Sequence, residues 1–183
     1  MSPIYALFLL LLTLSSTVHA NGKKHRTNRM KVQQFLGPQN AARYALRMSP
    51  LQWDSKLARY AQRYANQRRK DCALKHSNGA YGENIFWGSG QGWSPAQAAT
   101  AWVEERRWYD HSSNSCGGGQ ECGHYTQVVW RTTRRVGCAK VNCSGGKGVF
   151  MTCNYYPPGN YIGFGLSILM MTLLLAGLHM YSL

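Results

Sequence analysis

Two imidazoles and two carboxylates are spread through the middle of this chain: His76, Glu83, Glu105 and His124. Such groups can hold a divalent ion, zinc for example, or exchange protons as acid and base. Their spacing alone decides little, because no HExxH-type helix places two of them together. Glu105 has the strongest need of a partner. Counted as a helix, positions 98, 102, 105 and 109 share a face, so Glu105 joins Ala98, Trp102 and Tyr109 in an apolar stripe. A carboxylate there is costly unless paired, protonated or metal-bound. Glu83 lies in Tyr81-Gly82-Glu83-Asn84, where glycine lets backbone approach a ligand closely. The competing account of all four is satisfied polar side chains with no chemistry. Ser77 next to His76 adds no convincing nucleophile, since adjacent residues point apart and no triad is apparent.

The elements that must position these residues are helices first and strands last. A helix is expected around Pro38 to Met48, ended by Ser49 and Pro50. Asp54 can cap a second helix through Arg69, with Leu57, Ala61, Tyr64 and Ala65 as its apolar stripe. Ser94, Pro95 and Gln97 supply a cap, a first-turn proline and a capping-box glutamine for a third helix, reaching Tyr109. The glycine-rich stretches 79–92 and 115–123 read as loops. Residues 124–131 are rich in β-formers and predict a strand with His124, Thr126, Val128 and Trp130 on one face. Val136–Asn142 and Gly148–Tyr156, flanking Ser144-Gly145-Gly146-Lys147, predict a hairpin.

That hairpin sets Cys138 opposite Cys153, within disulfide reach. A local bridge could close the loop between Cys116 and Cys122, which would leave Cys72 with Cys143. This is one of fifteen pairings open to six cysteines, and only the hairpin pair is argued from geometry. No CxxC pair suggests a metal or redox site instead.

Residues 1–20 carry a short apolar run and small residues before Ala20, the pattern of a cleaved signal peptide, so disulfides are the expected state of the cysteines. All 21 Lys and Arg lie beyond it against 7 acids, a formal charge of +14. Anionic partners follow: cell-wall polysaccharide or membrane headgroups, but not nucleic acid, which an exported chain rarely meets. Residues 21–32 read as a flexible basic arm. From Tyr161 the chain turns apolar, and residues 164–183 form a tail that is either a short membrane helix or a lipid-anchor signal lacking its polar spacer.

Gly123 followed by His124-Tyr-Thr-Gln-Val-Val-Trp-Arg131 resembles a signature of the CAP superfamily: cysteine-rich secretory proteins, antigen 5 and pathogenesis-related class 1 proteins. Cys153-Asn-Tyr-Tyr-Pro-Pro-Gly-Asn-Tyr-Ile162 resembles a second. Pro50-Leu-Gln-Trp-Asp54, Tyr64-Ala-Asn-Gln-Arg68, Asp71-Cys72, His76-Ser77, Gly82-Glu-Asn84 and Trp102-Val-Glu-Glu105 follow in the family's order, and residues 33–163 are similar to the plant class 1 type. The resemblance implies an α+β fold, a three-layer α-β-α sandwich around a small antiparallel sheet. It implies a central cleft lined by His76, Glu83, Glu105 and His124, where family members can hold a divalent ion, and the pairing Cys72–Cys143, Cys116–Cys122 and Cys138–Cys153. Gln39 stands where the family usually has histidine, and the apolar tail replaces a short polar ending from which some relatives release a signalling peptide.

Three functions follow as expectations. The preferred one is a monomeric extracellular defence module that binds sterols or related lipids and inhibits fungi or oomycetes, as the resemblance implies, either secreted or tethered to the plasma membrane by the apolar tail. The others are a metal-dependent hydrolase built on the His/Glu set, and a precursor cut near Tyr156 or Pro157 to release a peptide.

Overall fold

The computed structural model describes residues 26–160. The expected signal peptide and apolar tail lie outside the described residues. Helix α1 covers residues 26–45, followed by the short strand β1 (Gln52–Trp53) and helix α2 (Ser55–Arg68). Strand β2 (Gly82–Gly88) leads to helix α3 (Pro95–Glu104) and a 3-10 turn at Glu105–Trp108. The two-residue strands β3 (Tyr109–Asp110) and β4 (Ser115–Cys116), helix α4 (Gly123–Val128) and the strands β5 (Arg135–Asn142) and β6 (Val149–Tyr156) follow in the described residues.

Helices α2 and α3 begin where their capping residues dictate. The Asp54 carboxylate accepts from the N–H groups of Lys56 and Leu57, at 2.7 and 3.1 Å. Ser94 and Gln97 form the reciprocal box at the start of α3.

The main sheet runs β1-β5-β6-β2, with β5, β6 and β2 antiparallel. β1 adds a two-residue parallel pair to β5, so the sheet is mixed rather than wholly antiparallel. Alternation along β6 sorts its side chains between two cores. Val149, Met151, Cys153 and Tyr155 pack with Phe35 of α1 and Ala98, Ala99 and Trp102 of α3, whereas Phe150 packs with Ala61 and Ala65 of α2. β6 is buried on both faces, which is the condition for helices on both sides. Gly137 lets α2 press onto β5: a Cβ there would lie 2.1 Å from the Ala58 nitrogen.

All six cysteines are paired, Cys72–Cys143, Cys116–Cys122 and Cys138–Cys153, as expected. The first spans 71 residues and ties the segment after α2 to the end of β5, a loop closure worth about 4 kcal/mol on the chain-entropy account.

Four expectations are corrected. Residues 124–131 do not form a strand, because Tyr125, Val128 and Val129 recur at helical spacing and are buried together against Ala42 and Val103. The loop expected over 79–92 contains β2, whose terminal glycines permit tight packing: a Cβ on Gly82 would meet the Gln127 amide at 2.0 Å, and one on Gly88 the Trp93 ring at 2.4 Å. The basic arm is helical from residue 26, and α1 runs through Pro38 because Phe35 and Leu36, upstream of it, are buried in the core. α3 stops at Glu104 and tightens into the 3-10 turn before Tyr109.

Candidate functional site

The four acid and base residues assemble as two pairs. Glu83, on the edge strand β2, takes His76 Nδ1 at 2.9 Å through Oε1. The same oxygen accepts from the Ser77 N–H at 2.8 Å, and Oε2 accepts from the Asn154 amide of β6 at 3.1 Å. Glu105 meets His124 Nδ1 at 2.6 Å through Oε1, while its Oε2 accepts from the backbone N–H of His124 and of Tyr125, at 2.9 and 3.1 Å. These two N–H groups are the ones a capping side chain normally satisfies, and Cys122, in the N-cap position of α4, makes no such bond. Glu105 therefore caps α4 from a different element.

Successive residues of β2 serve the two pairs. Glu83 and Asn84 point to opposite faces of the strand, and Asn84 donates to the His124 carbonyl at 3.0 Å. Trp102 backs the second pair: its indole stacks on the His124 ring with centroids 6.2 Å apart and donates to the Ile85 carbonyl of β2.

Burial pushes the Glu83 carboxyl upward, but hydrogen bonds from His76, Ser77 and Asn154 outweigh it and hold the group below the usual glutamate range. The hydrogen bond to Glu83 raises His76 above the usual imidazole value, against the opposing effect of burial. The Glu83 side chain is 5% exposed and that of His76 54%, so a buried anion faces a largely solvated partner.

Each histidine spends Nδ1 on a carboxylate and keeps Nε2, the donor pattern of carboxylate-oriented metal ligands. Among the described residues, however, no three His, Cys, Asp or Glu side chains converge as a metal site. The structure thus brings His76 to Glu83 and His124 to Glu105 without joining the four in one coordination cluster.

The family model for the cysteine-rich secretory protein family matches residues 36–155. The chain belongs to this family. It is 63% identical over 162 residues to the pathogenesis-related protein PR-1 of Medicago truncatula, covering 87% of this chain and 94% of the relative. It is 49% identical over 155 residues to pathogenesis-related protein 1C of Nicotiana tabacum, covering 85% and 87%. These matches place it in the plant pathogenesis-related class 1 type. Among solved structures, NaASP2, crystallised with Zn2+, matches with a TM-score of 0.61 at 28% identity, over 74% of this chain and 84% of that one.

Several residues that build this family member's site escape a reading by residue type. Asn154 and the backbone N–H of Ser77 complete the Glu83 pair, and Asn84 anchors His124; all three are neutral donors, and Asn154 and Asn84 lie 71 and 40 residues from the residues they hold. Gln39, where histidine is usual, is fully buried outside both pairs, accepting from the Tyr155 hydroxyl and donating to the Phe35 carbonyl, both at 2.8 Å. Arg43 is also buried. It donates to the carbonyls of Ser49, Val128, Trp130 and Thr133, fixing the turn after α4, and burial together with Arg134 and Arg131 lowers its pKa to about 10.

Proposed function

We propose that this chain is an extracellular defence protein that acts by binding sterols or related lipids at a surface groove, with antifungal activity as the consequence. One observation supports the lipid reading. Leu74 and Trp87, 59% and 43% exposed, flank a groove of about 470 Å3 together with Cys72, Asp71 and Lys147. Its volume lies in the range of small-molecule sites, and apolar groups so open to water gain by taking an apolar occupant. The groove is held firm: Trp87 donates through its indole N–H to the Lys147 carbonyl at 2.9 Å, and Cys72 is fixed by its bridge to Cys143. Lys147 at the rim and the charge of +14 suit an anionic membrane surface. The segment beyond Gly163, read as a membrane tether, would keep the groove near lipid.

The experiment is a titration of the purified protein with ergosterol and with plant sterols. Saturable binding is expected, weakened roughly tenfold by Trp87→Ala, as for loss of an aromatic anchor. Absence of saturable binding, or binding indifferent to Trp87→Ala and to Leu74→Ser, overturns the reading.

The two His–Glu pairs carry a second reading, favoured by the free Nε2 of each histidine and by the Zn2+ in the NaASP2 crystal. His76 and His124 would hold a divalent ion such as zinc through Nε2, with Glu83 and Glu105 orienting the rings. Such an ion would supply a Lewis acid to the cleft.

A further inference from the structure

A second cavity, sharing no residue with the His–Glu pairs or the apolar groove, opens on the α1 and α3 side of the sheet. It measures about 520 Å3 and is lined by Lys31 and Gln34 of α1, Trp93 and Ser94 at the start of α3, and Lys140 and Asn142 of β5. Two ammonium groups line it and no carboxylate does. Lys140 is half-buried and donates to the Trp93 carbonyl; burial, and then the charge of Lys31, lower its pKa below the usual lysine value. Like charges facing an acid-free cavity repel one another until an anion enters.

Trp93 is a fixed platform. Phe86 meets its ring edge-on with centroids 5.2 Å apart, its indole N–H donates to the Ser89 carbonyl at 2.7 Å, and the ring packs over Gly88 where a Cβ would not fit. The side-chain amides of Gln34 and Asn142 have no hydrogen-bond partner among the described residues, so both are available to a ligand.

We infer that this cavity binds a carboxylated sugar, a uronate unit of an acidic polysaccharide. The lysines take the carboxylate through charge-assisted hydrogen bonds, the indole face covers the C–H side of a pyranose ring, and the two amides reach its hydroxyls. An acyl chain is a poor fit, because apart from the indole and one proline the lining is polar.

The test is calorimetric titration of the full chain with oligogalacturonate, with its methyl ester as the uncharged analogue and with vesicles of anionic phospholipid as the alternative source of negative charge. Saturable binding to the acid form is expected, and Lys31→Glu should weaken it about tenfold, the loss of one charge-assisted bond. Trp93→Leu should weaken it similarly with the circular dichroism spectrum retained. Arg59→Glu, the same charge change on the exposed face of α2, should alter it less than about twofold, and Trp87→Ala should leave it unchanged, which separates this cavity from the sterol groove. Equal losses in Lys31→Glu and Arg59→Glu, equal binding of the methyl ester, or binding of vesicles without binding of the oligosaccharide would each overturn the inference.

Discussion

The His76–Glu83 pair joins a loop to an edge strand, and the His124–Glu105 pair joins the end of one helix to the start of another. In the first, the carboxylate is almost fully buried and its imidazole is mostly in water; in the second, both groups are partly buried, at 18% and 31% exposure. Glu83 spends its remaining capacity on one backbone N–H and one side-chain amide, whereas Glu105 spends it on two backbone N–H groups of α4. The same two residue types thus give an ionisable latch in one place and a helix cap in the other. Composition cannot distinguish them, because the difference lies in what else the carboxylate touches.

The comparison breaks most readily at Glu105. Glu105→Ala leaves two N–H groups at the start of α4 without a cap, and a loss of about 3 kcal/mol is expected in chemical denaturation. Glu105→Gln should recover part of it through its amide oxygen, and Glu83→Ala should cost less. A larger loss at Glu83 would reverse the assignment of the cap.

Zinc sharpens the comparison by asking whether the pairs act together. At saturating zinc the protein should gain about 2 kcal/mol of stability by mass action, and either His76→Ala or His124→Ala should abolish the gain. A gain lost in only one variant would place the ion on that pair alone, a partial loss in each would mean that the pairs bind independently, and no gain in the wild type would remove the ion from the reading.

The smallest effect is the pH dependence of the His76–Glu83 latch. Glu83 is lowered from 4.5, so its contribution is complete above that value and lost as pH falls through its depressed folded pKa. His76 is raised from 6.5, so its contribution is complete below that value and lost as pH rises through its elevated folded pKa. The pair therefore contributes fully between about pH 4.5 and 6.5. His76→Ala should flatten the basic side of the stability profile by less than about 1 kcal/mol, since solvent screens a half-exposed imidazole. A profile unchanged by His76→Ala would show that the latch carries no linked charge.

Local rules made some of the fold legible. Asp54 and Ser94 announce α2 and α3 because a capping side chain acts within three residues of itself. The β5–β6 hairpin and its Cys138–Cys153 pair follow from a period of two about a glycine turn, again a short-range constraint. The motifs resembling the family carried the other two bridges and the three-layer architecture, which no local rule contains.

What the sequence by itself determined, then, was where helices with strong caps start, which strands fold back on each other, and which four side chains were candidates for chemistry. Tertiary structure decided the rest. Residues 123–128 have β propensity, yet they become a helix because Glu105 caps them from outside and the core receives Tyr125, Val128 and Val129 at helical spacing. β2 forms in a glycine-rich stretch because β6 supplies a ladder along its full length. The basic segment before residue 32 is helical from residue 26, and its Lys31 faces Lys140 across a cavity. The acids and bases divide into two pairs because Glu83 and Glu105 sit on different elements and each meets its own set of N–H donors. Propensity is worth tenths of a kcal/mol per residue, while a buried face or an uncapped N–H costs several times more, so distant partners override local preference wherever the two disagree.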